Sequence, residues 1–176
     1  CMYNEQDKEI FPFASRLKDE GRGIPFILLI HYSKAVRQRV LESPHPGVDF
    51  VFSWHGNADL ILAIVKLLED AANAENDVFE VGVKGILLVE DSIRYYSNYL
   101  PELYKIVLTQ SREFLTESLN DDQKKYRKRS RPKIFLATCL EEAIAYFEKY
   151  RRNLLGVISD VGMVFHKGDD PKTEKL

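Results

Sequence analysis

Five short apolar runs constrain the fold of this chain more than any other feature. They are Pro25–Ile30, Phe50–Trp54, Gly85–Val89, Lys133–Ala137 and Leu154–Ser159. Each run is apolar at successive positions rather than at alternate ones, which is typical of parallel strands that are covered on both faces. Because helical patterns lie between the runs in the order α-β-α-β-α-β-α-β-α-β, we predict a doubly wound α/β fold with a parallel, flavodoxin-like sheet.

The composition is that of a small globular protein. The chain has 176 residues, 45% of them apolar, and a formal charge of −2. Such a near-neutral charge argues against a nucleic-acid-coating protein, and no apolar run approaches the ~20 residues needed to span a bilayer. Cys1 and Cys139 make no disulfide framework, which favours a reducing compartment. We therefore expect a cytoplasmic protein without membrane or nucleic-acid partners and, because it starts with Cys rather than Met, a piece of a larger one.

Several helices have recognisable starts. Ser33 is a candidate N-cap for a helix that carries Val36 and Val40, and Thr138 has capping-box spacing to Glu141. Asn57 is a candidate N-cap for a helix whose apolar face is predicted to consist of Leu60, Ile61, Ile64, Leu67 and Leu68.

Two stretches depart from the regular alternation of strands and helices. Residues 74–83 are polar and are interpreted as a linker, whereas residues 92–132 are far longer than one crossover needs. We predict an extended helix from Ser92 to about Leu119, followed by a protruding basic run, Lys124–Lys133. That run is either a solvated segment, a docking element for a partner or linked catalytic part, or, least favoured, a nucleic-acid contact.

Acidic residues follow two of the predicted strands. Glu90 and Asp91 come directly after the third apolar run, and Asp160 comes after the fifth. Parallel α/β sheets bind ligands at the carboxyl ends of their strands, and Mg²⁺ prefers oxygen ligands of this kind. The alternative is that these acids only cap the following helices, but two strand ends with the same pattern favour a functional site.

The same residues carry a resemblance to a known family. The segments ILLVEDS (86–92) and GVISDVGM (156–163) resemble the first and third strands of response-regulator receiver domains, which are CheY-like. The resemblance implies that Asp160 is the phospho-accepting aspartate and that Glu90 and Asp91 are the acidic pair that holds Mg²⁺. It further implies that the backbone carbonyl of Gly162 is the remaining protein ligand of the metal.

The first half resembles the back half of another receiver. Residues 1–74 correspond to its third helix, fourth strand, fourth helix, fifth strand and fifth helix, residues 75–83 to a linker, and residues 84–166 to the front half of the next receiver. That front half has an insertion at 105–132 and is followed by a tail, 167–176. Where receivers have a hydroxyl residue and a Lys-Pro pair, this chain has His31-Tyr32-Ser33 and Trp54-His55-Gly56.

Two further phrases, SWHGNADLILAIVKLLEDAANAENDV and EDSIRYYSNYLPELYKIVLTQ, resemble the N-terminal region of phosphoenolpyruvate synthase or pyruvate phosphate dikinase-like proteins. The resemblance implies a regulatory segment that is not itself an enzyme, linked to a catalytic part of a phosphotransferase. Its phosphoryl donor would be a histidine kinase or a small phosphodonor in a two-component phosphorelay. The alternative is a pseudo-receiver that is not phosphorylated and serves interaction or dimerisation.

The receiver resemblance also predicts a strand order. With the five runs named A to E along the chain, that order is D-C-E-A-B, a circular permutation of a receiver sheet. Strand E would then pair with strand A, either within one chain, because residues 74–83 can span ~33 Å, or exchanged between two chains in a swapped homodimer.

Overall fold

A computed structural model describes residues 2–3, 9–21, 23–31, 47–116, 131–160 and 162. The strands are β1 (Met2–Tyr3), β2 (Ile27–Ile30), β3 (Phe50–Ser53), β4 (Gly85–Val89), β5 (Lys133–Ala137) and β6 (Leu154–Ser159). The helices are α1 (Ile10–Asp19), α2 (Asp59–Glu75), α3 (Ile93–Thr116) and α4 (Leu140–Tyr150), and a π-helical turn, Asn76–Glu80, follows α2.

The strands form two parallel three-stranded sheets. The first has the order β1-β2-β3 and the second the order β5-β4-β6. All five apolar runs are therefore strands, and the predicted α/β class with parallel pairing is confirmed. The order β5-β4-β6 is the predicted D-C-E, and the pairing of β2 with β3 is the predicted A-B.

The predicted pairing of strand E with strand A is not present among the described residues. Two residues of β1 occupy that edge of β2, with Met2 opposite Leu29 and Tyr3 opposite Ile30. Because β3 takes the other edge of β2, no edge remains there for β6, which pairs with β4 alone in the described part of the chain. The described strands thus form two sheets, and the predicted five-stranded sheet is not shown. Pairing of strand E with strand A of a second chain would require Met2–Tyr3 to leave the edge of β2, and it stays a prediction.

Both sheets contribute to one hydrophobic core. Phe52 of the first sheet and Leu88 of the second belong to the same cluster of buried side chains, together with apolar residues of α2 and α3. Phe52 lies edge-on to Tyr96 of α3, with 5.5 Å between the ring centroids. A second cluster on the other side of β4 and β5 packs against α4, where Phe135 stacks on Tyr150 at 4.7 Å. The two helices α2 and α3 therefore join the sheets through shared apolar packing.

Helix side chains also close the outer edges of two strands. Ser53 of β3 donates its backbone N–H to the Ser97 hydroxyl at 2.9 Å, and the Tyr96 hydroxyl donates to the carbonyl of Val51. On β5, the backbone N–H of Ile134 donates to Asp70 of α2 at 3.0 Å. These bonds satisfy backbone groups that a neighbouring strand would otherwise pair.

Other local expectations have mixed outcomes. The long helix after β4 is confirmed over Ile93–Thr116, and the interpreted linker contains the π-helical turn Asn76–Glu80. The N-cap of α2 is Ala58 rather than the predicted Asn57, whose side chain nevertheless accepts the backbone N–H of Asp59 at 2.9 Å. The N-cap of α4 is Cys139 rather than Thr138, and the carboxylate that accepts the N–H and the hydroxyl of Thr138 belongs to Glu142.

The apolar face predicted for α2 is correct at Leu60, Ile64 and Leu67, which are buried, and wrong at Ile61, which is 43% exposed. The prediction that every strand is covered on both faces fails for β6, whose side chains are mostly exposed. Outside the described residues lie the predicted helix after Ser33, the region around Leu119, residues 124–130 of the basic run, and the tail 167–176. Among the described helices, none combines the length and apolarity that crossing a membrane requires.

Candidate functional site

Three carboxylates meet at the carboxyl ends of β4 and β6. Glu90 and Asp91 follow β4, and Asp160 follows β6, and one oxygen from each lies within 4.8 Å of the others. Backbone bonds hold the residues in place: Asp160 donates its N–H to the carbonyl of Val89 at 3.1 Å, and Glu90 donates to Ala137 at 3.0 Å. The predicted convergence thus results from adjacent parallel strands whose ends share one edge of the sheet.

The three acids differ in their exposure to solvent. Glu90 is only 4% exposed, whereas Asp91 is half-buried and Asp160 is exposed. Burial raises the pKa of the Glu90 carboxyl, the backbone N–H of Ser92 opposes this by donating to it at 3.0 Å, and the charges of Asp160 and Asp91 raise the pKa further. The site therefore combines a carboxyl that is costly to ionise with an acid that reaches solvent.

The donor set fits a hard divalent cation. Carboxylate oxygens are the ligands that Mg²⁺ and Ca²⁺ prefer, and the spacing lets one ion contact more than one of them. A cation there would also favour the ionised form of Glu90, because an opposite charge nearby stabilises the carboxylate. Gly162 lies two residues beyond Asp160 at an exposed position, and the ligand role of its carbonyl stays a prediction.

Replacing Glu90 by glutamine should stabilise the metal-free protein at neutral pH. The pKa of Glu90 is raised on folding, so the folded state holds its proton more tightly than the unfolded state. The protonated Glu90 therefore contributes stability below its pKa in the unfolded state. This contribution is lost as the pH rises through its pKa in the folded state, and none of it remains above both values. We expect Glu90→Gln to unfold at higher urea concentration than wild type at pH 7, and the difference to disappear below the unfolded pKa.

Glutamine keeps an oxygen that can accept the Ser92 N–H, so the comparison isolates the charge. Exposed Glu148 on α4 provides the matched control, Glu148→Gln, which should change stability at pH 7 by no more than about 0.5 kcal/mol. Added Mg²⁺ should stabilise wild type more than Glu90→Gln, by about 1.4 kcal/mol when the free ion is at tenfold its dissociation constant. Equal responses of the two proteins to pH and to Mg²⁺ would contradict the assignment.

The residues that stand where the receiver resemblance would place a hydroxyl residue and a Lys-Pro pair follow strands of the first sheet. His31 comes directly after β2, and Trp54-His55-Gly56 comes after β3. His55 shares a hydrogen bond of 3.0 Å between its Nε2 and the hydroxyl of Ser53. Tyr32 and Ser33 lie outside the described residues.

Sequence reasoning missed a second cluster of charges, centred on Asp70. Its carboxylate, fully buried in α2, accepts hydrogen bonds from both Arg131 terminal nitrogens and from the Tyr104 hydroxyl at 2.9 Å. Lys133 lies 3.5 Å from Asp70 and 2.5 Å from Asp77. Burial, and then the charge of Asp70, raise the pKa of Tyr104. We will refer to Asp70, Asp77, Tyr104, Arg131 and Lys133 as the Asp70 network.

The Asp70 network corrects one prediction about the basic run. Arg131 and Lys133, which end that run, are not solvated: their side chains are 12% and 8% exposed and pair with acids. The sequence held a usable signal, because Asp70 follows Leu67 by three residues on the apolar side of α2, where a carboxylate needs a buried cation.

No family model matches the chain, and searches of the curated proteins and of the solved structures found no match.

Proposed function

We propose that this chain is a receiver-like signalling module that accepts a phosphoryl group on Asp160. Glu90, Asp91 and Asp160 would hold Mg²⁺, with the Gly162 carbonyl as a further ligand. The module would regulate a linked catalytic part of the phosphoenolpyruvate synthase or pyruvate phosphate dikinase kind, and its donor would be a histidine kinase or a small phosphodonor.

One observation carries the proposal: three carboxylates from two neighbouring strands converge at the carboxyl end of a sheet with the order β5-β4-β6. An acid pair after the central strand and a single acid after its neighbour is the arrangement that the receiver resemblance implies. Structural caps do not require such convergence, because a capping carboxylate needs only the N-terminus of its own helix.

The acids have different chemical roles in the proposed reaction. An oxygen of Asp160, which reaches solvent, attacks the phosphorus of the donor, and the bond between phosphorus and the donor atom breaks with its electron pair leaving on the donor. Glu90 and Asp91 lie close to Asp160, within 4.8 Å for one oxygen of each. Three negative charges at this spacing repel one another unless a positive charge compensates them. A bound Mg²⁺ would supply that compensation and would polarise the phosphoryl oxygens.

Incubation with a small phosphodonor and Mg²⁺ should add the mass of one phosphoryl group to the protein. Asp160→Asn should abolish the gain, because the amide is not a competent nucleophile, and Glu90→Gln should reduce it by about tenfold or more through weaker metal binding. The measurement is intact mass over time, with alkaline hydroxylamine to release an acyl phosphate.

Asp59→Asn is the matched control, since Asp59 is an exposed acid at the start of α2, on another element. It should be phosphorylated like wild type. The proposal is contradicted if wild type gains no mass in Mg²⁺, or if Asp160→Asn gains as much as wild type.

A second candidate is a pseudo-receiver that serves interaction without phosphorylation. It is favoured by the residues after β3, where Trp54-His55-Gly56 stands in the place that the receiver resemblance assigns to a Lys-Pro pair. It is also favoured by the exposed apolar surface of β6. A wild-type protein that binds Mg²⁺ but never gains mass would support this second function.

A further inference from the structure

The N-terminal end of α3 is hydrogen-bonded to the acidic site. Ser92, the residue before α3, donates its backbone N–H to the Glu90 carboxylate at 3.0 Å. The carbonyl of Ser92 in turn accepts the backbone N–H groups of Tyr95 and Tyr96, at 2.9 and 3.0 Å. Because Glu90 is only 4% exposed, its carboxylate has little freedom to find another orientation. The direction of this carboxylate therefore depends on where the first turn of α3 lies.

The same part of α3 is hydrogen-bonded to the first sheet. The Tyr96 hydroxyl donates to the carbonyl of Val51 in β3. The Ser97 hydroxyl accepts the backbone N–H of Ser53 in β3 at 2.9 Å and donates to the carbonyl of Ile93, the first residue of α3. Both side chains are buried, and removing either hydroxyl leaves a backbone group of β3 without this partner. The start of α3 is thus fixed to a strand of one sheet while it holds a carboxylate at the end of the other.

Groups that orient a metal ligand without touching the metal commonly set the affinity of the site. Substituting such an outer partner weakens metal binding by about 10–100-fold when the partner contacts the ligand itself. Ser92 makes that contact here through its backbone N–H. Tyr96 and Ser97 lie one step further away, because they bond the turn that carries this N–H. A smaller effect, about threefold to tenfold, is therefore expected of them.

We propose that Tyr96 and Ser97 are positioning residues for the cation site. By holding the start of α3 against β3, they fix the Ser92 N–H that orients the Glu90 carboxylate, and so they set the affinity of the acidic site for a divalent cation. The coupling is reciprocal, so a cation bound at the end of the second sheet favours the closed edge of β3 in the first. The inference rests on the cation site of the proposed function, and it adds the route by which occupancy of that site reaches the other sheet.

Titration calorimetry with Mg²⁺ on the whole chain tests the positioning role. Tyr96→Phe and Ser97→Ala should each raise the dissociation constant by about threefold to tenfold. Phenylalanine keeps the ring that packs against Phe52, so this variant loses the hydroxyl alone. The dissociation constant of a fully folded protein does not depend on its free energy of unfolding, so a residue that only stabilises the fold would leave it unchanged. Circular dichroism checks that each variant is folded under the conditions of the titration.

Two variants on the same helix are matched controls. Tyr99→Phe removes a hydroxyl from a 46% exposed ring less than one turn beyond Tyr96. Ser111→Ala removes a hydroxyl that donates to the carbonyl of Val107 at 2.7 Å, the same bond to the preceding turn that Ser97 makes, but about four turns further along α3. Both controls should bind Mg²⁺ like wild type. An equal loss of affinity in the controls would overturn the assignment to Tyr96 and Ser97.

Amide hydrogen exchange, followed by NMR, tests the reciprocal effect. The reporter is the N–H of Ser53, which bonds Ser97. Its matched control is the N–H of Ile134, another buried strand-edge donor, which bonds Asp70 of α2 rather than a residue of α3. Saturating Mg²⁺ should slow exchange at Ser53 by a factor about threefold or more larger than at Ile134. Stabilisation of the whole fold alone would slow two amides that exchange through global unfolding by the same factor.

The outcomes separate this inference from the proposed function. A wild-type protein that binds no Mg²⁺ overturns the cation site and, with it, the inference. A wild type that binds Mg²⁺ while Tyr96→Phe and Ser97→Ala bind it equally well overturns the positioning role alone. If Ser97→Ala does not fold, the result for Tyr96→Phe decides. Equal slowing of exchange at Ser53 and Ile134 overturns the reciprocal coupling.

Discussion

Replacing Asp70 by alanine is expected to destabilise the fold by about 3–5 kcal/mol. The substitution leaves the Arg131 guanidinium and the Lys133 ammonium in the interior without their central acceptor. It also removes the acceptor of the Tyr104 hydroxyl and of the Ile134 N–H, two buried donors that are costly to leave unpaired. Urea denaturation at pH 7, followed by far-ultraviolet circular dichroism, measures the loss.

Neighbouring Glu69 supplies the matched control. It pairs with Lys66 on the exposed side of α2, with half of its side chain in solvent. Glu69→Ala should change stability by no more than about 0.5 kcal/mol, as surface ion pairs usually do. If both alanine variants lose the same small amount, the Asp70 network does not stabilise the fold as described.

Replacing Phe52 by alanine is expected to cost about 3–5 kcal/mol as well, through a different mechanism. Phe52 is fully buried, and its ring packs edge-on against Tyr96, so truncation opens a cavity where the first sheet meets α3. The cost includes the lost transfer free energy of the ring and the contacts that the cavity walls lose. Thermal and urea unfolding of the variant measure it.

Phe50, two residues earlier on β3, gives the comparison. It carries the same ring but is only half-buried, so Phe50→Ala should cost clearly less than Phe52→Ala. Equal losses at the two positions would contradict the idea that the shared core lies on the Phe52 face of β3.

The strands were predictable from the sequence because short, continuous apolar runs that alternate with helical patterns are typical of buried parallel strands and fit few other structures. Gly85–Val89 and Lys133–Ala137 are buried along nearly their whole length, as such runs predict. The acidic cluster was predictable for a related reason. Once β4 and β6 are parallel neighbours, Glu90, Asp91 and Asp160 must end at the same edge of the sheet.

The pairing between the two halves was not predictable from the same patterns. Edge pairing depends on which groups reach a strand end in three dimensions, and the edge of β2 is taken by Met2–Tyr3, too short a segment to show periodicity. At the outer edge of β3, Tyr96 and Ser97 form hydrogen bonds with the backbone of the strand. In the sequence these two residues show only a helical pattern, which does not indicate such contacts. An apolar run predicts that a strand exists. The neighbours of that strand are determined by residues far away in the sequence, and the apolar pattern of the run carries no information about them.

The closure of β3 by α3 has a consequence for the order in which the protein is made. A ribosome adds ~5–20 residues per second from the N-terminus, and domains begin to fold as they emerge. The backbone groups of Val51 and Ser53 leave the ribosome before Tyr96 and Ser97, which follow them by 45 and 44 residues. During that interval the nascent chain exposes an incomplete sheet edge, the kind of surface that chaperones bind. Completion of α3 ends the exposure, so the first half of the polypeptide reaches its native state only after a segment of the second half has been translated.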